Sequence, residues 1–103
     1  MRVNKFRLWD SEEHIMIEAD DLAFEEYAPL VELLNDGTSH FMQYTGMKDK
    51  EGKEIYEGDR VALTYDTGYV YFELGCFRVK DTSGYSRCLC DIMDIKVIGH
   101  IYE

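Results

Sequence analysis

The sequence predicts a mainly β domain (α+β with at most one short helix), built as a small antiparallel β-barrel or sandwich. Three observations predict it. Short apolar stretches recur about every 8–12 residues, and glycine-containing turns separate them. The third is size: 103 residues with 46% hydrophobic content suit one core and leave little room for a second. We therefore expect a single domain, residues 1–103.

The first third of the chain holds two predicted strands and one predicted helix. Residues 3–9 alternate bulky apolar and charged side chains and form the first strand, and Asp10 and Ser11 are expected to terminate it. Residues 14–18 form the second strand. Asp20 and Asp21 can cap a short helix, and Pro29 at a first helical position favours a helix over residues 29–35.

The rest of the chain predicts strands joined by turns. The predicted strands cover residues 39–45, 61–65, 69–74, 76–80, 87–92 and 96–102. Polar turns at residues 48–53 and 57–59 separate the first two of these. Ile55 and Tyr56, between those turns, are expected to anchor the connection in the core.

Composition excludes several classes of protein. The 21 acidic residues outnumber the 11 basic ones, so the formal net charge of −10 disfavours direct binding to nucleic acid or to an anionic membrane. No run of about 18 apolar residues predicts a membrane span, and the N-terminus has no signal-peptide core. Three cysteines are an odd number for a disulfide framework. We therefore expect a protein of a reducing cytoplasm.

The negative charge is concentrated in one segment. Between Leu8 and Met47 there is no lysine or arginine, whereas ten acids lie there, so this acidic segment carries a charge equal to the whole −10. Interleaved apolar residues indicate that the segment is folded. A solvated face that maintains solubility is one interpretation, and a surface for a basic partner is the other. The candidate partner-binding residues are Glu12, Glu13, Asp20, Asp21, Glu25 and Glu26.

Catalytic and metal chemistry have little support. The three histidines are far apart and have no serine or cysteine nearby in a nucleophile motif, so we expect strand residues with satisfied hydrogen bonds. Cys88 and Cys90 would share one side of a strand, but their spacing is tighter than in most zinc sites. We expect both cysteines to be small, buried apolar residues. We predict no enzyme activity, no cofactor and no metal.

The stretch MQYTGMKDKEGKEIYEGDRV, from Met42 to Val61, resembles the signature of the YopX family of small phage and prophage proteins. The opening KFRLWD (Lys5–Asp10) and the ending VIGHIYE (Val97–Glu103) are similar to the family's ends. The resemblance implies a mostly β, barrel-like fold that tends to form oligomers. It also implies a phage origin, so the expected cytoplasm is that of a bacterial host cell. It implies no established activity and gives no catalytic residues. The motif itself is expected to be a folding signature.

Two functions from different classes follow from these features. The first is a non-enzymatic inhibitor, of the anti-CRISPR type, that binds a basic host defence protein through the acidic segment, most specifically a CRISPR effector nuclease with its positively charged channels. The alternative is an oligomeric accessory module that sequesters a small ligand such as a nucleotide. Its pocket would lie at subunit interfaces and use Arg60, Arg78, Arg87 and tyrosines. A hydrolase with a carboxylate-bound metal, or a structural phage role, are weaker alternatives.

Overall fold

The computed structural model describes residues 5–18 and 39–103, and this part of the chain is mainly β, as predicted. Its strands are β1 (Phe6–Asp10), β2 (Ile15–Ile17), β3 (Ser39–Lys48), β4 (Glu54–Tyr56), β5 (Asp59–Ala62), β6 (Thr67–Glu73), β7 (Cys76–Asp81), β8 (Ser86–Cys88) and β9 (Lys96–His100). The helix predicted at residues 29–35 and the cap at Asp20 and Asp21 lie outside the described residues.

The strands form two antiparallel sheets. The four-stranded sheet has the order β2-β1-β3-β4, and the five-stranded sheet has the order β8-β7-β6-β5-β9. Each described strand pair is antiparallel. The predicted small antiparallel fold is therefore confirmed.

An aliphatic cluster fills the inner face of the five-stranded sheet. Val70 of β6 pairs with Val79 of β7, and Val61 of β5 pairs with Val97 of β9, so alternate residues of four strands face the same side. The buried members are Ile55, Val61, Val70, Val79, Leu89, Ile92, Ile95 and Val97. Because Ile55 comes from β4, the cluster also ties the four-stranded sheet to this core.

A second, aromatic cluster lies where β1, β3 and β4 meet. Its buried members are Trp9, Met42 and Tyr56. Arg7 of β1 forms a buried ion pair with Asp59 of β5, and its guanidinium lies 4.2 Å from the centre of the Tyr56 ring. The two sheets are therefore joined here by charge and aromatic contact as well as by apolar packing.

The connection between β4 and β5 links the sheets through its backbone. The N–H of Glu57 donates to the carbonyl of Gln43 in β3 (2.8 Å), and the N–H of Gly58 donates to the carbonyl of Val70 in β6 (2.8 Å). Gly58 has φ +89°, a conformation that other L-residues rarely adopt. The predicted anchoring by Ile55 and Tyr56 is confirmed, because both side chains are buried in this joint.

Asp49 ties the β3–β4 turn to the five-stranded sheet. One carboxylate oxygen accepts the N–H groups of Glu51 (2.9 Å) and Lys53 (2.8 Å), and the other accepts the N–H of Val97 (2.9 Å). Burial alone would raise the pKa of Asp49, but these three donors stabilise the carboxylate and lower the pKa below its ordinary value.

Several predicted boundaries are wrong. The strand predicted at residues 87–92 is instead β8, followed by a 3₁₀ turn at Leu89–Asp91 that is closed by the N–H of Ile92 on the carbonyl of Leu89. The strand predicted at 61–65 begins at Asp59 and ends at Ala62, because the N–H of Leu63 turns to the carbonyl of Asp66.

The other differences are extensions and truncations. The described part of the first strand runs on to Asp10, β3 continues to Lys48, and β9 ends at His100. Glu54–Tyr56, predicted only as a connection, pairs with β3 as a strand. These ends depend on pairing with distant strands, which local sequence does not encode.

Candidate functional site

Two of the six predicted partner-binding acids lie in the described residues. Glu12 and Glu13 are exposed in the turn between β1 and β2. Their N–H groups donate to the carboxylate of Asp10 at 3.0 and 3.2 Å, so Asp10 holds the turn while the two glutamates face solvent. Asp20, Asp21, Glu25 and Glu26 lie outside the described residues.

The ion pairs among the described residues leave the acidic segment out. Between described residues, the carboxylates that pair with lysine or arginine belong to Glu51, Glu54, Asp59 and Asp94, and these four come after residue 47. Within residues 5–18, Glu12, Glu13 and Glu18 are exposed and form no salt bridge with another described residue. Their charge therefore faces solvent without compensation by a described base.

The histidines have different environments. His100 of β9 is buried, accepts the N–H of Tyr102 at 3.3 Å and packs against Trp9, and burial lowers its pKa. His40 of β3 stacks on Tyr102 with ring centres 4.1 Å apart. His14 was predicted in a strand but lies in the β1–β2 turn with φ +57°. Within residues 5–18 and 39–103, no histidine is hydrogen-bonded to a serine or a cysteine.

The cysteines are not the small buried residues that the sequence predicted. Cys76 and Cys88 are half-buried and Cys90 is exposed. The Sγ atoms of Cys88 and Cys90 lie 3.0 Å apart, and the Cys90 Sγ lies 3.9 Å from the Asp91 carboxylate. One ligand atom from each of Cys88, Cys90 and Asp91 lies within 4.8 Å of the others.

The Cys88 and Cys90 thiols have pKa values that are shifted in opposite directions. Hydrogen bonding to the Cys90 thiol lowers the pKa of Cys88, and Cys76 is near enough to lower it further. The same bond to Cys88 raises the pKa of Cys90 to about 11. Loss of a first proton is therefore favoured at Cys88, and loss of the second is opposed.

All three cysteines line one cavity of about 430 Å³ between β3 and the β6–β7 hairpin. The other walls are largely aromatic or apolar: Tyr44, Met47, Phe72, Phe77 and Leu89 contribute to them. This convergence is not evident from the sequence, because Cys76 lies twelve residues before Cys88. The signal present in the sequence is the Cys-Leu-Cys spacing, which puts both cysteines on one side of an extended chain, opposite Leu89.

A second cleft of about 400 Å³ lies at β5, β6 and β7 of the five-stranded sheet. Arg60, Tyr69, Lys80 and Thr82 contribute to its lining. Of the three arginines predicted for a ligand pocket, Arg60 is at this cleft. The guanidinium of Arg78 donates instead to Ser86 (3.0 Å) and to the Cys76 sulfur (3.6 Å). Arg87 is exposed on β8.

These features define a small, acidic, two-sheet β protein with a thiol-lined cavity. The YopX protein family model matches residues 5–103, and the chain therefore belongs to the YopX family. Membership indicates a phage-type small protein. The predicted family resemblance is confirmed.

Comparison with solved structures shows the same fold elsewhere. The crystal structure of protein EF1440 from Enterococcus faecalis aligns with a TM-score of 0.70 and 24% sequence identity, over 100% of this chain and 96% of that one. This likeness establishes the fold alone. No curated protein matches the chain.

Membrane insertion through a helix has no support in the part of the chain that the structure describes. None of its helical segments has the length and apolar character that a bilayer crossing requires.

Proposed function

We propose that this protein is a non-enzymatic inhibitor that binds a basic host protein through its acidic segment. One observation carries the proposal: residues 8–47 contain ten acids and no lysine or arginine, and the described glutamates of the segment are exposed and unpaired by described bases. Keeping unneutralised charge on a folded surface costs self-repulsion. A basic partner offsets that cost when it binds and speeds association by electrostatic steering.

The partner class we propose is a host defence enzyme that handles nucleic acid, specifically a CRISPR effector nuclease. Such an enzyme holds guide and target in positively charged channels, and a folded acidic surface can occupy a channel in place of nucleic acid. The phage-type family supports a host protein as the target. The acids proposed to carry binding are Glu12, Glu13, Asp20, Asp21, Glu25 and Glu26.

The test is inhibition of a purified RNA-guided nuclease, measured as target DNA cleavage against inhibitor concentration. The native protein should inhibit, and the inhibition should weaken as salt is raised. A variant with all six acids changed to Gln or Asn should lose it while keeping the native circular dichroism spectrum. Inhibition by this variant equal to that of the native protein would exclude electrostatic mimicry.

A matched pair of double variants controls for total charge. Glu12→Gln/Glu13→Gln removes two charges from the β1–β2 turn, and Glu51→Gln/Glu73→Gln removes two exposed charges from elsewhere. The first pair should weaken inhibition more than the second. Equal loss would indicate that only net charge matters. Capture from host lysate with the same variants extends the test to other basic defence enzymes.

The small-ligand alternative has one supporting observation, the second cleft. Arg60 and Lys80 supply positive charge beside Tyr69, as recognition of an anionic nucleotide would require. Native mass spectrometry of the purified protein is the measurement. A copurified anion that is lost in Arg60→Ala would favour this alternative, and a ligand-free protein would count against it.

A further inference from the structure

Side chains that can bind a metal ion are clustered where β8 ends. This region supplies the thiols of Cys88 and Cys90 and the carboxylate of Asp91, whose ligand atoms lie within 4.8 Å of one another. The neighbouring strand β7 carries Cys76, which lies outside that group but lines the same cavity as the other two cysteines. The chain has three cysteines, and all of them line the cavity between β3 and the β6–β7 hairpin.

The local backbone explains why Cys88 and Cys90 face the same way. Cys88 has extended backbone angles (φ −63°, ψ 135°), and the 3₁₀ turn begins at the next residue. Leu89 points into the aliphatic cluster and is only 1% exposed. Because Leu89 is fixed inward, its two neighbours are turned outward, and their Sγ atoms come within 3.0 Å of each other.

Cys76 approaches from the strand beside β8. The residue two positions after it, Arg78, pairs with Cys88 across the strands, so Cys76 lies near the end of β8 where the turn begins. The guanidinium of Arg78 lies 3.6 Å from the Cys76 sulfur. A positive charge beside a cluster of thiolates and a carboxylate offsets part of their mutual repulsion.

We propose that Cys76, Cys88, Cys90 and Asp91 form a binding site for a thiophilic divalent metal ion, with Zn²⁺ as the physiological ion. Three sulfurs and one carboxylate oxygen are a donor set that suits tetrahedral zinc. This site lies outside the acidic segment and is independent of the proposed inhibitor function.

The spacing of the Cys88 and Cys90 thiols requires only a small adjustment, whereas Cys76 lies outside the 4.8 Å group and must turn toward it. Two thiolates on a tetrahedral zinc with Zn–S bonds of about 2.3 Å lie about 3.8 Å apart. The Cys88 and Cys90 sulfurs therefore separate by about 0.8 Å, a movement that side-chain rotation in a partly exposed turn can supply. On binding, each coordinating thiol releases its proton to solvent, and the metal keeps its oxidation state.

A disulfide between Cys88 and Cys90 is the competing use of the same atoms. It would join two sulfurs and leave Cys76 and Asp91 without a role, whereas metal binding uses all four groups. The cavity of about 430 Å³ beside the three cysteines gives an ion a route to them.

Cadmium titration of the reduced protein tests the proposal, because the thiolate-to-cadmium absorption band grows with the number of bound thiolates. The native protein should bind one ion with an intensity that corresponds to three thiolates. Cys76→Ser should retain two-thirds of that intensity, and Cys88→Ser/Cys90→Ser should abolish specific binding. An intensity of two thiolates in the native protein would overturn the role of Cys76.

Competition with a zinc chelator then tests the carboxylate. Asp91→Asn should weaken Zn²⁺ affinity by about tenfold or more. Asp94→Asn is the matched control, because Asp94 is also exposed but pairs with Lys50 instead, so its affinity should be native. Equal affinities of the two variants would overturn the role of Asp91.

Two results would overturn the site as a whole. One is a reduced, folded protein that binds neither Cd²⁺ nor Zn²⁺ at stoichiometric concentrations. The other is purified protein with one free thiol and an oxidised Cys88–Cys90 pair that added metal ions cannot prevent, as measured by thiol counting and intact mass. Circular dichroism of the apo variants separates lost binding from lost fold.

Discussion

The inner face of the five-stranded sheet is covered by the aliphatic cluster. The junction where β1, β3 and β4 meet this sheet contains instead the aromatic cluster and a buried ion pair. Aliphatic packing is non-directional and tolerates many exchanges that conserve volume. The pair of Arg7 and Asp59 is directional, because removing either partner leaves the other charge buried alone. The two halves of this small core should therefore respond differently to substitution and to pH.

Arg7→Met should have the largest effect of the substitutions at this junction. It leaves Asp59, which is fully buried, without its guanidinium partner, and we expect a loss of about 3–5 kcal/mol in the free energy of unfolding. Urea denaturation measures it. Lys96→Met is the control, since it breaks an exposed pair with Glu51 and should cost no more than about 1 kcal/mol. Similar losses for both variants would contradict the comparison.

Ile55→Ala tests the aliphatic side. The residue is fully buried and joins β4 to the five-stranded core, so truncation should cost about 2–5 kcal/mol, and Ile55→Val about 0.5–1.5 kcal/mol. Urea denaturation again provides the measurement. A graded series indicates ordinary apolar packing. An equal loss for both variants would show that the contact is as shape-specific as the ion pair.

The hydrogen bonds that Asp49 accepts should contribute an intermediate amount to the free energy of unfolding. Asp49→Ala removes the acceptor of three backbone N–H groups, and we expect a loss of about 2–3 kcal/mol. Asp49→Asn keeps one carbonyl oxygen for Glu51 and Lys53 but loses the acceptor for Val97, so its loss should be smaller. Thermal unfolding of the two variants checks this order, and the reverse order would contradict the described geometry.

The pH dependence of stability gives the smallest predicted effect. Burial raises the pKa of Asp59 to about 6, despite hydrogen bonds from Tyr56 and Arg7. A folded-state pKa above the ordinary value means that the folded protein holds the proton more tightly than the unfolded chain. This contribution to stability is complete below about pH 4 and is lost as the pH rises through about 6.

Asp59→Asn removes that titration and is the variant to compare. The difference in unfolding free energy, native minus Asp59→Asn, should grow as the pH falls from 7 to 5. Parallel curves would show that Asp59 keeps an ordinary pKa. The native curve alone is not sufficient, because burial lowers the pKa of His100 and opposes the change over the same range.

Much of the fold was predictable because its signals are local. Alternation in β6 and β7 and the glycine turns between strands placed most elements of the second half within a few residues. The motif EIYEGD also predicted its own structure. Ile55 and Tyr56 are buried in the core, one in each cluster, and Gly58 permits the turn that follows. The charge of the acidic segment is likewise a property of the sequence alone.

The candidate metal site could not be predicted from local sequence. Cys88 and Cys90 were visible as a pair, but their burial was predicted wrongly, because only packing of Leu89 into the core decides that both thiols face outward. Cys76 joins them through the pairing of β7 with β8, a contact between residues that are distant in sequence.

The sequence by itself determined the β class, the family and the concentration of charge, because composition, short-range alternation and a contiguous motif do not depend on long-range contacts. The tertiary structure alone decided that Arg7 and Asp59 pair across 52 residues and that three thiols share one cavity. Pairing register and sheet packing bring such groups together, and neither is encoded by the residues nearest to them in the chain.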